Sequence, residues 1–78
     1  LEVRTPLASA ALGERLEVFF GEGGLGLEPA EECPGQWIFR GGAGHVTATL
    51  RPEGNGTRLR IVTSGWAVPV KRFVTELP

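Results

Sequence analysis

Cys33 and His45 are the only thiol and the only imidazole in this chain. A Cys–His pair performs nucleophilic chemistry when the imidazole stands within hydrogen-bond reach of the sulfur. Nothing in their spacing brings them together. Cys33 lies beside Glu31 and Glu32, an acidic setting that opposes a thiolate. It reads as a thiol tucked under a loop. His45 reads as an exposed residue at the start of a strand, with a ligand role at a subunit interface as the alternative. One cysteine cannot close an internal disulfide, and one Cys with one His cannot build a zinc cage within one chain. Glu28, Glu31 and Glu32 form a carboxylate cluster. Acid–base work needs one such group desolvated or paired, and a segment this polar is read as solvated. No EF-hand spacing supports a metal there. No catalytic residue, metal or cofactor is therefore assigned. An enzyme ranks last among the roles, because no nucleophile, base and orienting group can be assembled.

Two short motifs match by letters only. Gly21-Glu22-Gly23-Gly24-Leu25-Gly26 spells G-x-G-x-x-G. The dinucleotide motif needs a strand before it and a helix after it, and the order expected here is the reverse. Asn55-Gly56-Thr57 is a glycosylation sequon, but Asn-Gly is also a preferred hairpin pair, and the turn reading is taken.

The one surface that suggests chemistry is basic. Arg51, Arg58 and Arg60 share a predicted strand face with Thr47 and Thr49, and guanidinium forks suit phosphate or carboxylate. Arg51 and Arg58 should lie nearly opposite each other, a repulsive pair that solvent, an anion or a carboxylate would relieve. Nucleic acid is not the expected partner. That role wants aromatic residues interleaved with the arginines, which only Trp37 or Phe39 could supply, and the chain is acidic overall.

The elements that must carry this face follow from periodicity. Leu1, Val3 and Thr5 alternate with Glu2 and Arg4, a short strand. Thr5-Pro6 reads as a helix start, with Ala8, Ala11, Leu12, Leu16 and Phe19 on one face and Gly21 as the C-cap. Residues 16–20 also fit a strand. Pro29 to Gly35 reads as a loop. Gln36–Arg40, His45–Arg51 and Arg58–Thr63 read as strands. A hairpin centred on residues 54–55 pairs Leu50 with Leu59 and Ala48 with Ile61, which puts their apolar side chains on one face. Val70, Phe73, Val74 and Leu77 form a helical stripe with Pro69 in its first turn, although a strand over 66–74 is the competing form.

The expected fold is α+β, a single domain over residues 1–78. A small antiparallel sheet of 3–5 strands packs on an N-terminal helix and is followed by a short C-terminal helix. This order, carried by Leu1–Leu16 and His45–Leu77, resembles a shortened helix-grip (START-type) domain. The resemblance implies a sheet wrapped around a C-terminal helix beside an apolar ligand cavity, in a chain too short for the full cavity.

Length and charge place the fold in context. The 78 residues carry a net charge of −1. Residues 1–33 hold two arginines against seven glutamates, whereas residues 34–78 are basic, with six cations against two glutamates. No apolar run is long enough to span a membrane, and Leu7–Leu12 is too short for a signal core, so a membrane partner is not expected and cytoplasm is the expected compartment. A domain this small has a thin stability margin and often gains from association. Trp37-Ile38-Phe39 and Trp66-Ala67-Val68 put apolar bulk on both faces of a strand, where one helix layer covers only one. The expected role is a non-enzymatic interaction module, a homodimer anchored by Trp37, Phe39 and Trp66. The alternative is a small-ligand or anion-binding domain that uses the Arg51/Arg58/Arg60 face or an apolar pocket between helix and sheet.

Overall fold

A computed structural model describes residues 1–33 and 35–78, the side chains of Glu31 and Glu32 excepted. The fold is α+β: strand β1 (Glu2–Thr5), helix α1 (Ser9–Phe20), strands β2 (Glu28–Cys33), β3 (Gln36–Gly41), β4 (Gly44–Glu53) and β5 (Gly56–Ser64), and helix α2 (Ala67–Thr75). The strands form one antiparallel sheet in the order β1-β5-β4-β3-β2.

This order dictates what α1 must do. β1 and β2 lie at opposite edges, so the segment between them has to cross the whole sheet. Four strand spacings of ~4.8 Å come to ~19 Å, and twelve helical residues rise ~18 Å. The length of α1 thus matches the width it spans. Leu12, Leu16 and Phe20, four residues apart, are fully buried against Phe39, Val46, Ala48, Leu50, Leu59 and Ile61 of the sheet. Phe20, not Phe19, is the deep residue at the helix end. Its ring centroid lies 5.8 Å from that of Phe39 and 5.3 Å from that of Phe73. Residues 16–20 are helix, and that form carries Leu16 and Phe20 into the core while leaving Val18, which a strand would bury on the same side, 71% exposed.

The helix starts later than Thr5-Pro6 suggests. Thr5 completes β1, and α1 begins at Ser9 with Ala8 as an N-cap that makes no side-chain bond. The Thr5 hydroxyl instead accepts from the Leu7 amide at 3.3 Å. Thr57 of β5 donates to the Leu7 carbonyl at 2.8 Å, and its hydroxyl lies 3.1 Å from that of Ser9. A buried threonine 50 residues away in sequence, rather than a local cap, fixes the start of α1.

The β4–β5 register has the expected pairs, Leu50 with Leu59 and Ala48 with Ile61. Glu53 pairs with Gly56, so the two turn residues are Gly54-Asn55 and not Asn55-Gly56. Gly54 has φ +60 and Asn55 has no positive φ, the pattern of a type II′ turn with glycine first.

The segment read as a loop over Pro29–Gly35 is largely strand. β2 pairs with β3 at Glu28–Arg40 and Cys33–Gln36, with a register shift between Pro29 and Glu32. Its pattern is erratic because a bulged edge strand need not alternate. The C-terminal stripe is helical, with Val70 and Phe73 buried and Pro69 in the first turn. Both helices cover the same sheet face, and the long C-terminal helix of helix-grip domains has no counterpart in the nine residues of α2.

Candidate functional site

The register sorts the uncovered face into rows that cross the strands. One row runs Arg4, Arg58, Arg51. The next runs Glu2, Arg60, Thr49, Gln36, Cys33. Then come Val62, Thr47, Ile38, and finally Ser64, His45, Arg40, Glu28. Alternation along each strand produces the rows, since every second side chain points the same way. Among the described residues five arginines and the glutamates Glu2 and Glu28 stand in these rows, with Glu53 beyond Arg51 at the end of β4, and one row carries the apolar Val62 and Ile38 on either side of Thr47. Val62 in that row is 52% exposed.

Arg51 and Arg58 are directly opposite, as the alternation requires. The repulsion is relieved within the chain. Arg58 donates from Nε to Glu53 Oε2 at 2.7 Å and from Nη2 to Glu53 Oε1 at 2.9 Å, a bidentate fork. Its Nη1 reaches Glu2 Oε1 at 2.9 Å. Arg4 adds a weaker pair, Nε to Glu53 Oε1 at 3.4 Å. The hydrogen bonds from Arg58 hold the Glu53 carboxyl below its ordinary range, with the charges of Arg58, Arg4 and Arg51 acting in the same direction against a small desolvation cost. The same two carboxylates push the Arg58 guanidinium higher still. Three of the five N–H groups of Arg58 are thus taken by carboxylates of its own chain, which also neutralise its charge. Among the described residues Arg51 and Arg60 make no ion pair.

The three aromatic residues named as anchors lie on the helix-covered side. Phe39 is 2% exposed and belongs to the core, so it has no surface to offer a partner. Trp37 is half-buried with its ring against Gly13, and its indole N–H reaches Glu17 Oε1 at 3.4 Å. Trp66 packs by the Gly42–Gly44 hairpin and donates to the Gly41 carbonyl at 3.1 Å. The outward apolar residues are Ile38 and Val62, whose side of the sheet alternation implied once the hairpin was placed. With Trp37 and Phe39 turned inward, the arginine face has no aromatic residue for base stacking.

The remaining motifs do not assemble. Cys33 is exposed opposite Gln36 on β2, while His45 stands opposite Arg40 on β4. That puts them ~13 Å apart along the strands and ~10 Å across them. The glycine-rich turn follows a helix and precedes a strand. Four of its six amides are already used, among them Leu25, which donates to the Phe19 carbonyl at 2.9 Å, and the next amide, that of Leu27, donates to the Phe20 carbonyl at the same distance. They cap the negative end of α1, the wrong pole for a phosphate. Of the carboxylate cluster, the Glu31 and Glu32 side chains lie outside the described residues. Among the described residues no group of three His, Cys, Asp or Glu side chains could hold a metal, and no helix is long and apolar enough to cross a membrane.

A cleft of about 920 Å³ opens between the end of α1 and the β2–β3 edge. Leu27, Pro29, Trp37 and Phe39 line its apolar part, and Glu17, Glu22 and Glu28 its acidic rim. No protein-family model, curated protein or solved structure matches the chain.

Proposed function

We propose that this chain is a non-enzymatic interaction module that associates with a second copy of itself through its sheet. The observation that carries the reading is the one-sided helix cover, which leaves Val62, Thr47 and Ile38 uncovered in the middle of a five-stranded sheet. A small domain gains stability by burying such a row. Ile38 and Val62 take the place of the inward-facing aromatic residues as the apolar side chains available to a partner. The exposed, unpaired thiol of Cys33 suits a reducing compartment, and we assign the domain to the cytoplasm. Sedimentation velocity over a dilution series tests the reading. A dimer that dissociates on dilution supports it, and a monomer at every concentration refutes it.

A second reading, a small-ligand domain, is favoured by the cleft beside Trp37. Its acidic rim suits an apolar ligand with a cationic end. An environment-sensitive apolar dye that brightens with wild type, but not after the cleft is narrowed by Pro29→Trp at its exposed lip, supports this reading. Equal dye response in both proteins removes it. The anion reading rests on Arg51 and Arg60 alone, since Arg58 is held by Glu53 and Glu2.

A further inference from the structure

The sheet has two edges, and they differ as templates for another strand. β2 carries Pro29, which has no amide to donate, and its ladder shifts register between Pro29 and Glu32. Both features are common guards of an edge. β1 has neither.

The hydrogen-bond parity of β1 is fixed at its first residue. The Leu1 nitrogen donates to the Ile61 carbonyl at 3.1 Å, and the Ile61 amide donates to the Leu1 carbonyl at 2.8 Å. Leu1–Ile61 is therefore a hydrogen-bonded pair, and in an antiparallel ladder such pairs alternate. Val3 and Thr5 likewise turn their amides and carbonyls towards β5. Glu2 and Arg4 turn theirs outward, so the free edge offers two amides and two carbonyls.

We propose that two copies join edge to edge through β1, antiparallel about a two-fold axis at Val3, so that one sheet runs through both chains. This rests on the self-association reading for the identity of the partner, a second copy, and puts a contact at the β1 edge in addition to the Val62–Thr47–Ile38 row, which an edge-to-edge join leaves uncovered. In that register Glu2 lies opposite the partner's Arg4 and Arg4 opposite the partner's Glu2. Both pairs have outward-facing backbone groups and together form four main-chain hydrogen bonds. Glu2 and Arg4 share the helix-free face, so each facing pair joins opposite charges. The neighbouring symmetric registers are disfavoured by the same side chains. A shift one way sets Glu2 against the partner's Glu2, and a shift the other way sets Arg4 against the partner's Arg4. Val3, half-buried at the end of the core, meets its own copy on the helix side.

Charge exchange tests the contact. Arg4→Glu or Glu2→Arg alone places like charges opposite each other at two symmetric positions and is expected to weaken the dimer about tenfold. The double variant Glu2→Arg/Arg4→Glu restores opposite charges between chains and is expected to restore the dimer. Within one chain the exchange does the reverse: it sets an arginine beside Arg58 and a glutamate beside Glu53. A purely intrachain role therefore predicts that the double variant is the worst of the three. Arg4→Pro removes an outward amide together with the Arg4–Glu53 pair, spares the amides and carbonyls of Val3 and Thr5 that face β5, and is expected to be monomeric, whereas Arg4→Ala, which loses the same pair but keeps the amide, is expected to retain a weakened dimer. In wild type the Glu2 and Arg4 amides are expected to be protected from hydrogen exchange at concentrations where the dimer forms. Sedimentation velocity and exchange read all of this. A dimer unaffected by any variant, or a double variant weaker than either single one, overturns the β1 contact but leaves self-association standing. A monomeric wild type overturns both.

Discussion

Replacing Gly13 by alanine sets two effects of opposite sign against each other. Gly13 lies in the interior of α1, where alanine is preferred by about 1 kcal/mol. On that ground alone the substitution stabilises. The tertiary structure argues the other way. A Cβ at position 13 would sit 2.6 Å from Trp37 Cζ2, 3.2 Å from Cη2 and 3.3 Å from Cε2. Carbon atoms pack comfortably at about 3.5–4.0 Å, so the ring must retreat by about 1 Å. Three ring atoms are involved at once, and a rigid indole cannot yield at one and keep the others. Overpacking of this kind costs about 1–3 kcal/mol. The expected net result is a loss of about 1 kcal/mol, or roughly 4–8 °C in Tm for a domain this size. In a Trp37→Leu background the obstruction is gone, and the same Gly13→Ala change is expected to stabilise by about 1 kcal/mol. The sign of one mutation thus depends on a residue in another element, a coupling of about 2 kcal/mol. Urea unfolding of the four proteins, followed by circular dichroism, measures it. A raised midpoint for Gly13→Ala in wild type, or the same sign in both backgrounds, refutes the packing argument.

Three further outcomes follow from the same structure. Phe20→Ala removes a fully buried ring that contacts Phe39 and Phe73 and is expected to cost about 3–5 kcal/mol, enough to leave the domain largely unfolded at room temperature by circular dichroism. Thr57→Val leaves the Leu7 carbonyl without its donor at the start of α1 and is expected to cost about 1–3 kcal/mol; a thermal midpoint equal to wild type would count against that tether. Glu53 titrates below the ordinary glutamate value of 4.5 in the folded chain, so its contribution is complete above that pH and is lost as the pH falls through its lowered value. Wild type is therefore expected to lose stability on acidification through that range more steeply than Glu53→Gln, and parallel acid unfolding curves would contradict the Arg58 fork.

The arginine face was legible because the alternation of His45–Arg51 and Arg58–Thr63 excludes every odd slip, which would split Leu50 and Ala48 from Leu59 and Ile61, and the turn residues around 54–55 select one pairing among the rest. The carboxylates that occupy it were not. Glu2 reaches Arg58 because β1 pairs with the last strand of the sheet, and nothing local to Glu2 records that pairing. Glu53 lies past the alternating stretch that ends at Arg51, and its position beside Arg58 depends on a turn of two residues.

Short-range periodicity therefore settled what repeats within a few residues: the hairpin, the Leu12–Leu16 part of the α1 stripe, and the side of the sheet on which Arg51, Arg58 and Arg60 stand. Tertiary structure decided the rest, because each remaining choice depends on a distant partner. β2 is a strand only because β3 offers it a ladder. Residues 16–20 are helical because α1 must reach the far edge of the sheet with Phe20 turned inward. Trp37 and Phe39 belong to the interior because α1 covers that face. A three-residue apolar run carries no mark of which side will be covered, and that choice moved the outward apolar contact to Ile38 and Val62.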